Sequence, residues 1–417
     1  MTKGMKMCAH VFLIVCDGMG DRPIEELDGK TPVEFANTPW LDKLSEVGIN
    51  GIMHTLGTPG IVPGSDTAHL ALFGYDPHIY YSGRGAFEAL GVGLEVKEGD
   101  VALRGNFATV DENLNVLDRR AGRYVPEGDQ LAAVVNGLKL PEAPDVEVIA
   151  KHATQHRCAV ILRGPGLSHK VTDTDPHETN AKVKIAKPLD DSEEAQKTAN
   201  IINALSGKSH ELLKDHPLNK QRQERGDLPG NIIILRGAGQ VPNVKSLTQL
   251  YGIKSAVIST NALYRGVALS IGMEHLPVSE TKGDYIVLAK KALERFDNYE
   301  LFFIHVKDTD NASHDGNAEE KVKVIERIDE MISYLFPKVE SKEAYICVTA
   351  DHTTSVKAKD HVGDDVPVVI AGPEVRSDSV KSFSERACAL GGLNRIRGID
   401  IMPILMSYLE KTPMFGS

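Results

Sequence analysis

The sequence predicts an α/β protein: a mostly parallel sheet covered by helices on both faces, with a smaller α+β domain inserted into it. Three observations point there. Short, continuously apolar runs end abruptly in Asp or His; amphipathic stretches with 3-4 spacing fall between them; and mid-chain the pattern changes to alternation. Unbroken apolar runs of this length read as strands buried on both faces, the mark of a parallel sheet sandwiched between helices.

In chain order, the first run is Ala9–Val15 (AHVFLIV), followed by Cys16-Asp17-Gly18. Thr38, Pro39 and Trp40–Val47 read as an N-cap, a first-turn proline and a short helix. Thr67–Phe73 reads as a helix after a Gly/Pro-rich loop. From about Leu94 to Arg123 apolar and polar residues alternate, as in antiparallel strands joined by turns, and Val146–Ala150 with Cys158–Arg163 forms another such pair. Asp191–Leu205 is helical, and the charged run Lys214–Asp227 reads as a solvated helix end and loop. The strand Asn231–Leu235 could join either domain. Gly252–Thr260, Leu301–Val306, Tyr345–Ala350 and Val366–Ala371 resume the apolar series. Ala318–Phe336 between them places Val324, Ile328, Met331, Ile332 and Leu335 on one helical stripe. The expected division is therefore a discontinuous core, 1–78 and 248–417, and an insert, 79–247, with hinges near 75–85 and 245–250.

At roughly 100–200 residues per domain, 417 residues suit two or three domains. Basic residues number 47 against 58 acidic, a net charge of −11. No uniform basic field exists for nucleic acid or an anionic membrane, so the expected partner is a small molecule, and an anionic one must meet a local cluster of Arg, Lys or metal. The five cysteines (Cys8, Cys16, Cys158, Cys347, Cys388) are widely spaced, against a disulfide framework and against a thiolate zinc site. The apolar stretch before Asp17 is too short to span a membrane. Although Lys3 and Lys6 precede it, it lacks a small-residue cleavage site. A soluble, cytoplasmic protein is expected; the sequence is silent on oligomeric state.

The chemistry-bearing residues are dispersed. Asp17, Asp310, Asp351 and His352 all follow strand ends, where open α/β sheets gather ligands. His314 follows Asp310 by four residues, and His361 and Ser65 complete the set. Three carboxylates and three imidazoles cannot lie together without a compensating charge; two divalent metals would supply it. Ser65, in Pro63-Gly64-Ser65-Asp66-Thr67, reads locally as a helix N-cap as readily as a nucleophile. A nucleophilic serine needs activation, and a metal at Oγ would provide it.

Several segments in order carry a resemblance: VCDGMGDRP, TPVEFANTPWLDKLSEVG, TPGIVPGSDTAHLALFGYDP, YSGRGAFEALGVGLE, HVKDTDNASHDGN, ADHTT and HVGDDVPVVI. Nearly the whole chain resembles the archaeal-type cofactor-independent phosphoglycerate mutases of the alkaline phosphatase superfamily. The resemblance implies a phosphatase-like core with two metal sites, one of Asp17, Ser65, Asp351 and His352, the other of Asp310, His314 and His361. It implies that Ser65 is transiently phosphorylated while 3-phosphoglycerate and 2-phosphoglycerate interconvert, without added 2,3-bisphosphoglycerate, in glycolysis and gluconeogenesis. Mn²⁺ is the first choice of ion, with Co²⁺, Zn²⁺ or Mg²⁺ as alternatives, because mixed oxygen and nitrogen donors do not single one out. Asp308 and Asp315 flank the motif at the wrong spacing, and His69 and His305 are expected to pack around it.

The insert should supply positive charge for a phosphate and a carboxylate. Arg119, Arg120 and Arg123 cluster around a glycine turn, and Arg236 stands at a strand end beside Gly237 and Gly239, where a ligand could approach the backbone closely. Arg265, His156 and Arg157 are further candidates. Guanidinium suits this role because its planar fork grips carboxylate or phosphate with two bonds. Gly83-Arg84-Gly85 and Gly237-Ala238-Gly239 complete no nucleotide fingerprint. The competing readings are a metal-dependent phosphatase or phosphodiesterase, or another phosphotransferase, on the same core.

Overall fold

The computed structural model describes residues 10–412 together with Met414 and Gly416. Cys8, Ala9, Lys3 and Lys6 lie outside the described residues. The chain divides into two compact units, one running up to Tyr81 and resuming at Val244, the other Ser82–Asn243.

The first unit is built on an eight-stranded sheet. Its strand order is Asn394–Arg397, Ile49–His54, Val366–Ala371, Ala344–Thr349, His10–Cys16, Leu301–Val306, Ser255–Ile258, Glu274–His275. Seven strands run one way. Val366–Ala371 alone runs against its neighbours, pairing antiparallel on both sides, so one member of the expected parallel series is reversed. The four strands Leu301–Val306, Ala344–Thr349, Val366–Ala371 and Ser255–Ile258 are buried at every position. A strand without exposed alternate residues is covered on both faces. Helices Ser65–Leu72, Ala262–Ser270 and Gly398–Tyr408 pack in one group, and Pro39–Val47, Ile286–Glu294 and Ala318–Glu340 in another.

Two local expectations need correction. Thr38 makes no side-chain cap to the helix Pro39–Val47. Asp329, from the long helix Ala318–Glu340, accepts from Trp40 N and Leu41 N instead, at 2.9 and 2.7 Å, so a tertiary carboxylate replaces the local hydroxyl. Ser65 is not an N-cap either: Gly64 holds that position and Ser65 is the first helical residue. Its hydroxyl is thereby released from capping.

The second unit is an antiparallel sheet. Val101–Val110 pairs with Val116–Asp118, Arg157–Arg163 and Ile232–Gly239, and Glu147–His152 extends it. The segment that sequence left between two domains, Asn231–Leu235, therefore lies in this sheet, within Ile232–Gly239. The charged run 214–227 is more ordered than expected: Pro217–Glu224 is a helix, and Arg222 is buried, bonding Glu127 at 2.6 Å and the carbonyls of Ala121, Tyr124 and Leu228. The two Gly-x-Gly fragments face each other. A Cβ on Gly83 would stand 2.0 Å from the Ala238 carbonyl oxygen, and one on Gly239 2.4 Å from that of Gly83. The chain's own backbone, not a ligand, makes the close approach there. The described cysteines Cys16, Cys158, Cys347 and Cys388 are free and buried. No helix among the described residues is long and apolar enough to cross a membrane.

Candidate active site

Three adjacent parallel strands deliver the acidic residues. Asp17 follows His10–Cys16, Asp351 follows Ala344–Thr349, and Asp310 sits in the helix Asp308–Asp315 just beyond Leu301–Val306. Parallel strands end at one edge, so residues hundreds of positions apart in sequence meet there. In that same helix His314 lies one turn after Asp310, its Nε2 3.4 Å from Asp310 Oδ2. The hairpin Thr353–Ser355/Asp360–Val362 returns His361 to the same place. Its Nε2 is 3.5 Å from Asp310 Oδ1, and its ring stacks on His352 with centroids 3.7 Å apart.

One group gathers Asp17, Asp351, His352 and Ser65. His352 Nε2 lies 3.4 Å from Asp17 Oδ1, 3.2 Å from Asp351 Oδ2 and 3.3 Å from Ser65 Oγ. Each carboxylate has one oxygen engaged. Asp17 Oδ2 meets His305 Nε2 at 3.2 Å and Lys307 Nζ at 3.1 Å; Asp351 Oδ1 accepts from the amides of Gly18 and His352. The other oxygens, Asp17 Oδ1 and Asp351 Oδ2, are buried with no hydrogen-bond partner. Such orphans are costly, and two of them aimed at one imidazole nitrogen and one hydroxyl make a donor set suited to a cation.

The electrostatics agree. Burial alone would raise the Asp17 carboxyl, but Lys307 and the His305 hydrogen bond hold it well below the ordinary range. Burial and then the charge of Asp17 push Asp351 well above it. Two carboxylates this close cannot both ionise unless positive charge is added. Burial drives His352 down to about 3, leaving a neutral imidazole with a lone pair to offer. In the second group, His314 and His361 each bond a backbone carbonyl through Nδ1, Lys359 O at 2.8 Å and Pro63 O at 2.9 Å. A carbonyl only accepts, so Nδ1 carries a proton in each ring and Nε2 is the nitrogen turned toward Asp310; burial lowers His361, but its hydrogen bond to Asp310 outweighs that and raises the ring above its ordinary value.

Lys307 escaped the sequence reading. Its ammonium bonds Asp17 Oδ2, Asp310 Oδ2 at 2.6 Å and Tyr264 OH at 2.9 Å, joining the two acidic groups through a shared positive charge. Its position three residues before Asp310, on the same helical face, was the available signal. His305 packs against Tyr264 with centroids 3.6 Å apart, and His69 Nδ1 bonds Ser65 O at 2.7 Å; both brace the group, as expected. Asp308 accepts from Tyr285 OH at 2.6 Å.

The second unit holds a cavity of about 550 Å³ lined by Arg104, Arg119, Arg120, Arg123, His156, Arg157 and Arg236. Six of the seven expected residues gather in it. Arg265 does not: it lies in the other unit, on the helix Ala262–Ser270. Arg104 was missed. It projects from the middle of a strand, and burial, against the pull of Glu88 and with the push of Arg157 and Arg236, takes it down to about 9. Glu88 is its counter-charge, 3.3 Å from Arg104 and 2.7 Å from Arg84. Asp175 grips Arg119 with two bonds, 2.9 and 2.7 Å. The Nε atoms of Arg104, Arg157 and Arg236 are buried without a hydrogen-bond partner. This pocket therefore carries surplus positive charge, fitted to a multiply charged anion.

Comparison with known proteins gives the same class. A family model described as 2,3-bisphosphoglycerate-independent phosphoglycerate mutase matches residues 45–219. A protein of that name from Ignicoccus hospitalis is 49% identical over 415 residues, covering 98% of this chain and 99% of its own. One from Methanothermobacter thermautotrophicus is 45% identical over 410 residues, covering 97% of this chain and 99% of its own. Among solved structures, the cofactor-independent phosphoglycerate mutase from Thermoplasma acidophilum shares 34% identity and a TM-score of 0.73, over 96% of this chain and all of that one. A Pyrococcus horikoshii protein shares 36% and 0.85, over 99% of this chain and all of that one. The fold and the two groups define an α/β enzyme with side-chain clusters that could hold metal ions. The chain belongs to the 2,3-bisphosphoglycerate-independent phosphoglycerate mutase family.

Proposed function

We propose that this chain interconverts 3-phosphoglycerate and 2-phosphoglycerate through a phosphoserine at Ser65, without 2,3-bisphosphoglycerate. The observation that carries it is the position of Ser65 Oγ, 3.3 Å from His352 Nε2 and beside the orphaned oxygens of Asp17 and Asp351. Ser65 is also the first residue of the helix Ser65–Leu72, and the N-terminal end of a helix favours a phosphoryl group.

Two divalent ions, Mn²⁺ by first choice, would be held by Asp17, Ser65, Asp351 and His352 and by Asp310, His314 and His361, neutralising charge and acidifying the Ser65 hydroxyl. Ser65 Oγ gives up its proton and forms a bond to phosphorus as the bond from phosphorus to the substrate's ester oxygen breaks, and that leaving oxygen takes up a proton to become the glycerate hydroxyl. Lys307 holds Asp17 and Asp310 in place with its charge. The inserted unit is assigned substrate binding: Arg104, Arg119, Arg120, Arg123, Arg157 and Arg236 hold the carboxylate and the released glycerate with His156 in support, and Arg265, which lies in the other unit, is given no part in that pocket. Glycerate then returns its other hydroxyl oxygen to phosphorus, restoring Ser65. An oriented, retained alcohol outcompetes water for the phosphoryl group. The reaction belongs to glycolysis and gluconeogenesis and places the enzyme in the cytoplasm.

Incubation of the Mn²⁺-loaded enzyme with phosphorus-labelled 3-phosphoglycerate tests this. Labelled Ser65 and labelled 2-phosphoglycerate are expected, with Ser65→Ala losing both and on the order of 10⁴-fold or more in rate. Normal turnover in Ser65→Ala would end the covalent reading, and free phosphate in place of 2-phosphoglycerate would make the enzyme a phosphatase.

A further inference from the structure

Of the three imidazoles read as cation ligands, His314 and His361 have a ring proton fixed by a backbone carbonyl and His352 does not. His352 Nδ1 lies 3.0 Å from the hydroxyl of Thr354, a group that can donate or accept. That same hydroxyl lies 2.6 Å from Asp310 Oδ1. One hydroxyl has one proton. A carboxylate beside the Lys307 ammonium can only accept, so the hydroxyl proton goes to Asp310 and the hydroxyl's lone pair faces His352. Nδ1 must then be the N–H.

We infer that Thr354 is a positioning residue that sets the tautomer of His352. Its hydroxyl donates to Asp310 and accepts from His352 Nδ1–H, which leaves Nε2 as the lone-pair nitrogen facing Asp17, Asp351 and Ser65.

The surroundings leave that hydroxyl no substitute. Thr354, His352 and Asp310 are all buried. A Cβ built on Gly18 would fall 2.3 Å from Thr354 Oγ1 and 2.8 Å from Asp310 Oδ1, so the loop after the first strand packs its backbone directly over the contact. A water of ordinary size finds no place there. The opposite tautomer would set two lone pairs against each other at Thr354 and aim a proton from Nε2 at the donor set, closing it to a cation. Thr354 also pairs with His361 across the two-stranded ladder, so its backbone and its hydroxyl together register His361, His352 and Asp310. Outer partners of this kind fix ring orientation in metal sites generally. A β-branched residue serves well here because its side-chain rotation is restricted.

This inference rests on reading His352 as a cation ligand, and its test separates the two. The full chain is labelled with ¹⁵N-histidine and freed of metal, and the His352 ring signals are assigned by their loss in His352→Asn. The wild type is expected to show protonated Nδ1 and bare Nε2. Thr354→Val, which keeps the shape and removes the hydroxyl, should lose that single tautomer and bind Mn²⁺, measured calorimetrically, about ten- to a hundredfold more weakly. Thr354→Ser should restore both. Retention of Nδ1–H in Thr354→Val, whatever its Mn²⁺ affinity, overturns the inference. Should that variant fail to fold, protonated Nε2 in the wild type or in Thr354→Ser overturns it equally, and protonated Nδ1 supports it. A wild type that binds no Mn²⁺ defeats the cation reading while leaving the tautomer result standing.

Discussion

The two charged regions of this molecule are built on the same plan with opposite signs. In the first unit three carboxylates crowd together with one internal cation, Lys307. In the second, six guanidiniums line one pocket against two internal anions, Glu88 beside Arg84 and Arg104 and Asp175 beside Arg119 and Arg236. Neither set of counter-charges is enough. The acidic group leaves Asp17 Oδ1 and Asp351 Oδ2 without partners; the basic one leaves three Arg Nε atoms without them. Buried charge of one sign destabilises a fold unless it is compensated, so the surplus suits cations in one region and an anion in the other. The opposite charges inside each cluster hold it together in the absence of a bound group.

Breaking that symmetry should separate the two regions experimentally. The largest effect is expected from Arg104→Met. Losing a buried guanidinium from the pocket should lower kcat/KM about a hundredfold or more, in line with truncated buried charge contacts, with Mn²⁺ affinity unchanged. A parallel fall in Mn²⁺ affinity would deny the pocket its independence. Lys307→Met should act the other way on the acidic side. Metal-free protein should lose roughly 2–3 kcal/mol of stability, somewhat less than for a fully buried pair because the ammonium is partly exposed, and Mn²⁺ should bind more tightly and restore the loss. Equal thermal stability of the two metal-free proteins would show that the carboxylates need no internal cation.

The smallest effect concerns pH. Burial and the neighbouring Arg157 push His156 down to about 4, against about 6.5 in an unfolded chain. Between those values the unfolded chain binds the extra proton, so stability is intact above about pH 6.5 and declines as the pH falls toward 4. His156→Gln should remove roughly 1–2 kcal/mol of that decline, read as a smaller shift of the urea midpoint between pH 7 and pH 4.5. An unchanged shift would mean that the arginine pocket does not suppress protonation of this ring.

The same contrast explains what sequence could reveal. Asp17, Asp310, Asp351 and His352 follow the ends of apolar runs, and a parallel sheet brings such ends together whatever lies between, so the acidic group was legible. Lys307 stood in plain view in HVKDTD, where its spacing to Asp310 was the one local hint and could not tell an ammonium that joins two carboxylates from one in solvent. Arg104 was harder still. It sits in the middle of Val101–Val110, every residue of which is buried, and alternation alone does not say which polar side chain enters a cavity. The reversal of Val366–Ala371 was invisible because a strand buried on both faces reads alike in either direction. Asp329 capping a helix nearly three hundred residues earlier, and Thr354 answering two partners at once, depend on tertiary placement that no short window contains.

The central claim is that Asp17, Asp351, His352 and Ser65 form one cation cradle and Asp310, His314 and His361 another. Anomalous scattering at the manganese edge from crystals grown with Mn²⁺ tests it most directly. Two peaks are predicted, one touching the first four residues and one the other three, at ligand distances of about 2.0–2.3 Å. Peaks elsewhere, or none at saturating Mn²⁺, would contradict the account.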